Sequence, residues 1–301
     1  MNLKLNAEVK EAIAGHLPVV ALESTVIAHG LPYPQNLETA FKLESIVRQR
    51  GAVPATIAVL DGEFTVGLAG DQLERLATDR SIRKISRRGL AVAVAKKLNC
   101  ATTVASTSFI ANLAGIKVFS TGGIGGVHRG FAADISADLP ELAQTPITVV
   151  CSGPKAILDL AATREWLETH GITVLGWRCD EMPAFYSRTS GMPVEERVDT
   201  AGEAAAIVRA RDELNIPGSI LVVVPIPEEN EIPRNEIEAI LADSLRSADA
   251  EGIVGNDVTP FLLSEMGRLS GGRTLSANIA LLESNAFVAA DIAAAISGGP
   301  E

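Results

Sequence analysis

The chain contains 301 residues with a formal net charge of −11, and a field of that sign excludes a general affinity for nucleic acid. Apolar residues make up 47% of the chain and charged residues 21%, which is the balance of a globular protein with a large buried core. Aromatic residues amount to only 4%, so the composition favours close packing of helices on a sheet. An anionic ligand would have to be held by a local cluster of positive side chains.

The three cysteines, Cys100, Cys151 and Cys179, lie far apart in the sequence, and no CxxC pair occurs. This spacing argues against a disulfide framework and against a cysteine zinc site, and it predicts reduced thiols in a cytoplasmic protein. The first 15 residues are amphipathic and charged, without the apolar core of a signal peptide. No run of about 18 apolar residues occurs, so the sequence predicts no membrane span.

Short apolar runs alternate with helical patterns along most of the chain. The predicted strands cover, in chain order, residues 18–24, 55–60, 63–68, 82–86, 117–121, 147–152, 172–177 and 219–225. The predicted helices cover residues 36–50, 71–79, 89–98, 105–114, 154–170, 201–215, 234–249 and 274–297. Between the second and third strands, Asp61-Gly62 is a two-residue hairpin signal.

This alternation of strands and helices predicts an α/β protein whose sheet lies between two layers of helices. The runs at 147–152 and 219–225 are almost wholly apolar, as in strands that are covered on both faces. We therefore expect a single α/β/α domain over residues 1–301, a three-layer sandwich around a largely parallel or mixed sheet. The apolar C-terminal 40 residues are expected to pack either over the sheet or against another subunit.

Glu23 is the first candidate for chemistry, because ligands in such folds bind at the carboxyl ends of the strands. It directly follows the first apolar run. Loss of water at the mouth of a buried strand raises the pKa of a carboxyl group toward that of a useful acid. The alternative is a structural cap or ion pair for the loop at 24–34.

The segment SIRKISRR, residues 81–88, gathers four cations in an acidic chain: Arg83, Lys84, Arg87 and Arg88. Such a cluster can hold a phosphate through charge-assisted hydrogen bonds. An edge strand that is protected by positive charge explains the segment equally well.

The segment TGGIGGVHRG, residues 121–130, is not a GxGxxG fingerprint, because His128 replaces the last glycine, and it is not a P-loop either. Its closely spaced glycines let the backbone approach a ligand, which favours a ligand-facing loop over a merely tight turn. His128 is either a ligand contact or a partner of loop carbonyls.

The segment DISADL, residues 134–139, places Asp134 and Asp138 four residues apart with Ser136 between them. Oxygen ligands at this spacing suit a hard cation such as Mg²⁺ or Mn²⁺, which can keep several waters. Capping of a helix N-terminus explains the same residues, and the spacing alone favours the cap. Histidine and cysteine patterns such as HExxH are missing, so zinc is not indicated.

The segment TVVCSGPKAILDL, residues 148–160, places Lys155 behind Pro154 at a predicted helix start. Proline suits the first helical position, but the positive end of a helix disfavours a cation. Helix start and burial together favour an uncharged amine, which is a nucleophile that can form an imine with a sugar aldehyde carbon. The other interpretation is a weak i,i+4 ion pair with Asp159.

Nine segments occur in the order found in pseudouridine-5′-phosphate glycosidases, and from residue 15 to residue 297 the chain resembles that family. They are ALESTVIAHGLPYPQNLETA, KISRRG, STGGIGGVHRG, DISADL, CSGPKAILD, DEMPAFYSRTSG, PIPEENEIP, GNDVTPFLL and TLSANIALLESNA. Two residues depart from the family pattern, Cys100 where glycine is expected and Met182 where phenylalanine is expected. Neither stands at an expected catalytic position.

The resemblance implies reversible cleavage of pseudouridine 5′-phosphate into uracil and ribose 5-phosphate, a glycosidase-type reaction of the carbon–oxygen hydro-lyase class. It also implies an α/β/α fold, one Mn²⁺ per subunit and a homotrimer that acts in cytoplasmic nucleotide catabolism. The implied catalytic residues are Lys155, which forms the imine, and Glu23, the acid, and the implied metal ligand is Asp134. The implied substrate contacts are Lys84, the backbone of Val104, Ser136, Ala137, Asp138 and Asn278, with Thr121 and His128 in the same pocket.

These residue types fit the chemistry, because a carbon leaving group lacks the lone pair that an ordinary glycosidase protonates. We hypothesise that Glu23 protonates the ring oxygen, that Lys155 adds at C1′, and that the C–C bond then breaks with uracil as the leaving group. Lys84 and neighbouring arginines would neutralise the phosphate, and the metal at Asp134 would organise substrate oxygens. Two alternatives stay open: another Schiff-base sugar-phosphate lyase, and a catalytically silent regulator that binds sugar phosphates.

Overall fold

A computed structural model of the chain describes residues 3–130, 133–253 and 258–298. Its strands are β1 (Leu3–Leu5), β2 (Val19–Leu22), β3 (Val53–Leu60), β4 (Glu63–Val66), β5 (Arg83–Ile85), β6 (Cys100–Thr102), β7 (Val118–Ser120), β8 (Val127–His128), β9 (Thr148–Cys151), β10 (Leu158–Asp159), β11 (Thr173–Trp177), β12 (Glu196–Val198) and β13 (Ile220–Val223). Its α-helices are α1 (Ala7–Ala14), α2 (Gln35–Gln49), α3 (Gly70–Thr78), α4 (Leu90–Ala95), α5 (Val104–Leu113), α6 (Asp138–Leu142), α7 (Leu160–Thr169), α8 (Ala201–Glu213), α9 (Arg234–Glu251), α10 (Val258–Leu269) and α11 (Arg273–Ile296). A turn of π-helix at Val26–Gly30 and 3₁₀ turns at Arg87–Gly89 and Glu228–Asn230 complete the elements.

Most of the strands join one mixed sheet, whose main path runs β1-β4-β3-β2-β7-β9-β13-β11-β12. Every neighbouring pair from β3–β2 to β11–β12 is parallel. Within this sheet β3 also pairs antiparallel with β4 and with β6, and β6 in turn pairs with β5 in parallel. The parallel centre therefore brings the carboxyl ends of β2, β7 and β9 side by side, where ligands bind in such sheets.

The three-layer arrangement follows from the alternation of side chains along each strand. On β2, Val20 and Leu22 enter a core that also contains residues of α2, α8, α9, α10 and α11. Val19 and Ala21, on the opposite face, enter a core with residues of α1, α4, α5, α6 and α7. Helices thus cover both faces of the sheet, and the predicted α/β/α sandwich is confirmed.

All eight predicted strands exist, and the predicted hairpin joins β3 to β4. Its two turn residues, Asp61 and Gly62, have φ values of 51° and 78°, as a tight hairpin turn requires. The prediction missed β1, β6, β8, β10, β12, α1, α6 and α10. The five missed strands contain only two or three residues each, too few to show a period in the sequence.

The helix predicted over 154–170 begins only at Leu160, so this boundary was wrong. Leu158 and Asp159 instead form β10, which lies antiparallel to β8. The Asp159 carboxylate then caps α7 by accepting the Ala162 N–H at 2.9 Å. Proline fits extended chain as well as a first helical turn, and tertiary pairing decided between the two.

The C-terminal helix α11 is long and apolar enough to cross a membrane by length and composition alone. In the folded chain, half of its most apolar 18-residue window is buried, and it packs on α2, α8, β7 and β9. These contacts are those of a core helix that lies over the sheet, which is one of the two packings expected for the C-terminal segment.

A candidate active site at the carboxyl ends of the strands

A cavity of about 480 Å³ opens where β2, β7 and β9 end. Its wall contains five residues that the sequence singled out, Glu23, Lys84, Arg88, Lys155 and Asn278. They come from segments far apart in the chain, so the fold alone assembles them. The expectation that chemistry would lie at the carboxyl ends of the strands agrees with this position.

Glu23 follows β2 and is buried in the cavity wall, with 8% of the residue exposed. Its carboxylate accepts a hydrogen bond of 2.5 Å from the hydroxyl of Thr121, the first residue after β7. Burial raises the pKa of Glu23, and the charge of Lys155 and the Thr121 hydrogen bond oppose this shift in part. A carboxyl group that holds its proton more strongly is suited to donating it, as a general acid does.

Lys155 reaches the cavity from the segment between β9 and β10 and is half-buried. Its N–H donates to the carbonyl of Ile124 at 3.1 Å, and the Ile124 N–H donates to the carbonyl of Gly153 at 3.1 Å. Extended chain therefore presents the amine, and the explanation by a helix start is wrong. The proposed i,i+4 pair with Asp159 fails for the same reason, because residues 155–159 are not helical.

Close backbone packing fixes the segment that carries Lys155. Gly153 has a φ of +82°, and a Cβ atom there would lie 2.5 Å from the carbonyl oxygen of Pro183. A Cβ atom on Gly123 would lie 2.8 Å from the carbonyl oxygen of Gly153 and 2.6 Å from the ring of Phe185. The glycine-rich loop at 121–130 thus holds the lysine segment, and its residues Gly122 and Gly123 also line the cavity.

Of the four cations at 81–88, Lys84 and Arg88 line the cavity. Desolvation by the surrounding wall lowers the pKa of Lys84, and the nearby charge of Lys155 lowers it further, against the carboxylates of Asp138 and Glu23. Arg87 turns away and binds the buried Glu141, with Nη1 2.9 Å from Oε2. The edge-strand interpretation is confirmed, since among the described strands β5 pairs only with β6. Phosphate binding stays a prediction, and Lys84 and Arg88 are the two cations of the segment that the cavity wall contains.

The segment Ser136–Asp138 lies outside the cavity wall. Asp138 is buried, and its carboxylate accepts the N–H of Ala105 at 2.9 Å and the N–H of Gly125 at 2.8 Å. It thereby ties the start of α5 to the glycine-rich loop. A helix N-terminus does lie here, because α6 begins at Asp138, but the predicted capping was wrong: the N-cap residue is Ala137, without a side-chain cap hydrogen bond.

The remaining predicted contacts border the cavity in different ways. Val104 is buried at the start of α5, beside Thr103 in the wall, and its N–H lies in the first helical turn, where the helix supplies no acceptor. Thr121 is buried behind the wall and touches the cavity only through its bond to Glu23. Asn278 lines the cavity from α11.

Asp134 is exposed outside the cavity wall, and its carbonyl accepts the N–H of the half-buried His128 at 2.9 Å. Residues 131 and 132, just before it, lie outside the described residues. Within the described part of the chain, no group of three His, Cys, Asp or Glu side chains could hold a metal ion. A single exposed carboxylate fits a hard cation that keeps most of its waters, and it does not fit zinc.

The sequence reasoning missed His29 and Phe185 as wall residues. Desolvation and the charge of Lys84 lower the pKa of His29. Both residues belong to segments that carry the family resemblance, which was the only available signal. The departures Cys100 and Met182 are fully buried, and residues 255–257 of the segment GNDVTPFLL lie outside the described residues.

Comparison with known proteins gives a consistent result. The family model described as Indigoidine synthase A like protein matches residues 8–295. A protein of Symbiobacterium thermophilum named pseudouridine-5′-phosphate glycosidase is 52% identical over 99% of this chain and 98% of its own length. A protein of the same name from Caldanaerobacter subterraneus subsp. tengcongensis is 53% identical over 97% of this chain and 95% of its own.

Solved structures agree in fold. The prealnumycin C-glycosynthase AlnA, in complex with ribulose 5-phosphate, superposes with a TM-score of 0.91 at 43% identity, over 98% of this chain and 97% of its own. An indigoidine synthase A-like protein from Thermotoga maritima superposes with a TM-score of 0.90 at 38% identity, over 98% of this chain and 96% of its own.

Proposed function

Because the chain belongs to the indigoidine synthase A like family, we propose that it reversibly cleaves the C–C glycosidic bond of pseudouridine 5′-phosphate into uracil and ribose 5-phosphate. The observation that carries this proposal is the cavity wall, which contains the carboxyl group of Glu23, the amine of Lys155 and the cations Lys84 and Arg88. These groups are an acid, a nucleophile and a phosphate-binding pair. The names of the relatives support the same substrate.

The proposed reaction begins at the ribose ring. Glu23 gives its proton to the ring oxygen O4′, the C1′–O4′ bond breaks, and the amine of Lys155 forms a bond to C1′. The proton that the amine loses in this addition returns to the Glu23 carboxylate. The raised pKa of the buried Glu23 suits both roles, since the carboxyl group must hold a proton before each donation.

The C–C bond then breaks with the lone pair of the Lys155 nitrogen as electron donor and the protonated uracil ring as electron acceptor. Uracil C5 accepts the proton from Glu23, and the lone pair of the Lys155 nitrogen forms the C1′=N double bond. The electron pair of the C1′–C5 bond restores the C5=C6 double bond of uracil. Water then adds to the imine and releases Lys155 and open-chain ribose 5-phosphate, so each cleavage consumes one water and the reverse reaction releases one. We accordingly assign the activity to the carbon–oxygen hydro-lyases.

We place the 5′-phosphate between Lys84 and Arg88, at the start of α5. Charge-assisted hydrogen bonds from both cations would hold it, and the N–H of Val104 would add the donor that a first helical turn offers to anions. Asn278 would contact the substrate directly from α11. Thr121, His128, Ser136, Ala137 and Asp138 would support or contact the substrate from the loops beside the wall.

For the metal, we propose one Mn²⁺ per subunit with Asp134 as its protein ligand and waters as the other ligands. A hard cation of this kind tolerates a single carboxylate. When bound, it would supply positive charge that orders the neighbouring loop and substrate oxygens.

We further propose a homotrimer of single-domain subunits that acts in the cytoplasm. Reduced thiols support a cytoplasmic location, and the structure pairs none of the three cysteines. Burial also raises the pKa of Cys151, close to Lys155, to about 12, so its thiol does not compete as a nucleophile. Sedimentation at several concentrations would test the trimer.

The lysine imine is tested by incubating the protein with ribose 5-phosphate, adding borohydride and mapping the adduct by mass spectrometry. We expect the label on Lys155, no label in Lys155→Ala, and uracil release from pseudouridine 5′-phosphate by the wild type alone. A label on another lysine, or none, would reject the proposed role of Lys155.

The same assay separates the two alternatives. Trapping at Lys155 without uracil release would indicate a different Schiff-base sugar-phosphate enzyme, an option supported by the similarity to a C-glycosynthase in complex with ribulose 5-phosphate. Binding of ribose 5-phosphate without trapping or turnover would indicate a regulator.

A further inference from the structure

Asn285 is a fully buried polar residue in the apolar face that α11 turns toward the sheet. Its neighbours on this face include Leu281, Leu282 and Ala289, all buried. An amide in such surroundings is strongly unfavourable unless its hydrogen bonds are made. A buried asparagine is therefore tolerated at this position only because its amide group is hydrogen-bonded.

The Asn285 amide binds two loops that follow neighbouring strands. Its nitrogen donates to the carbonyl of Thr121 at 2.9 Å and lies 3.3 Å from the carbonyl of Gly122, both in the loop after β7. The same nitrogen lies 3.1 Å from the hydroxyl of Ser152, directly after β9, and the Asn285 Oδ1 atom accepts a bond of 3.2 Å from that hydroxyl. A direct backbone bond, from the Ser152 N–H to the Gly122 carbonyl at 2.9 Å, joins the loops beside the amide.

Each loop holds one of the two reacting groups. The hydroxyl of Thr121 binds the Glu23 carboxylate at 2.5 Å. Ser152 lies three residues before Lys155, and Gly153 between them packs closely on the carbonyl oxygen of Pro183. From the end opposite the cavity, the Asn285 amide thus links the chain that orients the acid to the chain that carries the amine.

We propose that Asn285 is a positioning residue that sets the placement of Lys155 relative to Glu23. This inference rests on the proposed function, because it requires these two groups to react with one substrate. Asn285 lies outside the cavity wall, so it acts through Thr121 and Ser152 and leaves substrate affinity alone. Its contribution belongs to the chemical step, where misplacement by about 1 Å can lower the rate about 100-fold.

The experiment compares three variants with the wild type. Asn285→Leu keeps the branched shape of the side chain and removes every hydrogen bond that the amide makes. Ser152→Ala removes only the contact to the loop after β9 and leaves the bonds to the Thr121 and Gly122 carbonyls. Ser219→Ala is the matched control, because the Ser219 hydroxyl makes one buried bond of 2.6 Å to the Thr145 carbonyl at the opposite end of the sheet.

We expect Asn285→Leu to lower kcat for uracil release by about 10- to 100-fold with KM within about twofold of the wild type. Borohydride trapping of ribose 5-phosphate at Lys155 should slow by a similar factor. Ser152→Ala should lower kcat less, and Ser219→Ala should lower Tm without changing kcat. A merely structural role would lower Tm in all three variants and leave kcat and the trapping rate unchanged.

Wild-type kcat in a folded Asn285→Leu variant would overturn the inference, and so would a loss confined to KM. If Asn285→Leu does not fold, Ser152→Ala decides: a lower kcat at unchanged KM supports the positioning role, and wild-type kcat overturns it. Absence of uracil release from the wild type would instead refute the proposed function, so the two failures are distinguishable.

Discussion

Gly153→Ala is the most direct perturbation of the backbone behind Lys155. The substitution adds one methyl group at a φ of +82°, a conformation that is unfavourable for residues with a Cβ atom by about 1 to 2 kcal/mol. The new atom would also lie 2.5 Å from the carbonyl oxygen of Pro183. Ordinary contact begins at 3.4 Å, so one of the two backbones has to move by about 0.9 Å.

Gly171→Ala supplies the matched control. Gly171 has a φ of +69° but no atom within 4 Å of the position of an added Cβ, and it lies at the opposite end of the sheet, before β11. Gly171→Ala therefore measures the cost of a positive φ alone, without a steric clash of the added methyl group. We expect Gly171→Ala to lower the free energy of unfolding by about 1 to 2 kcal/mol and to leave catalysis unchanged.

The assay measures kcat for uracil release together with thermal unfolding. We expect Gly153→Ala to lower Tm more than the control does, and to lower kcat by about 100-fold, because the shift approaches the 1 Å that has this effect on a reacting group. Equal kcat in Gly153→Ala and wild type would refute the reasoning, since it would mean that the segment relaxes without moving the amine.

Three further predictions follow from the charges in and near the cavity. Glu23→Gln should lower kcat by about 10²- to 10⁴-fold. Because burial raises the pKa of Glu23 above 4.5, the wild type should lose stability as pH rises from that value through the raised pKa, and the Tm of the variant relative to the wild type should increase over the same pH range. A Tm difference that does not change with pH would contradict the assignment. Arg88→Ala should raise KM for the phosphorylated substrate by about 10- to 100-fold, whereas Arg87→Ala, which strips the buried Glu141 of its cation, should lower Tm and leave KM unchanged; equal KM effects would show that the phosphate site is misplaced. Asp134→Asn should weaken Mn²⁺ binding, measured by calorimetry on the substrate-free protein, by about 10-fold or more, and unchanged affinity would move the metal elsewhere.

Strands that are buried on both faces could be predicted from the sequence because they consist almost wholly of apolar residues. The runs at 147–152 and 219–225 are nearly all apolar, and β9 and β13 lie there, fully buried between two helix layers. Glu23 could be proposed for a related reason. A carboxyl group directly behind such a run must lie at the end of a buried strand, and in a parallel sheet that end is where ligands bind.

The start of α7 could not be predicted, because local and tertiary signals compete there. Proline at residue 154 is compatible with a first helical turn and with extended chain. Two contacts decide it: the pairing of β10 with β8, and the hydrogen bond from the Lys155 N–H to the Ile124 carbonyl. In both, the partner lies about 30 residues earlier in the sequence. Asp159 caps α7, whereas the sequence suggested it as an ion-pair partner of Lys155. Both roles involve only neighbouring residues, so the local sequence could not decide between them.

The different roles of Arg87 and Arg88 could not be predicted from the sequence either. Both belong to one basic segment, and a phosphate site would accept either. The 3₁₀ turn at Arg87–Gly89 directs the two side chains differently, so that Arg87 reaches the buried Glu141 on α6 while Arg88 enters the cavity wall. Such a division depends on the position of one distant carboxylate, which no local pattern encodes.

Helix α11 connects the hydrophobic core to the chemistry, which explains why so apolar a segment carries two asparagines on neighbouring turns. Asn278 and Asn285 are seven residues apart, close to two helical turns, and therefore lie on the same face. Asn278 faces the cavity, and Asn285 binds the loops behind it. The C-terminal helix therefore does more than cover the sheet. Its apolar residues fix its position against β7 and β9, and this packing holds the amides of Asn278 and Asn285 at the carboxyl ends of the same strands.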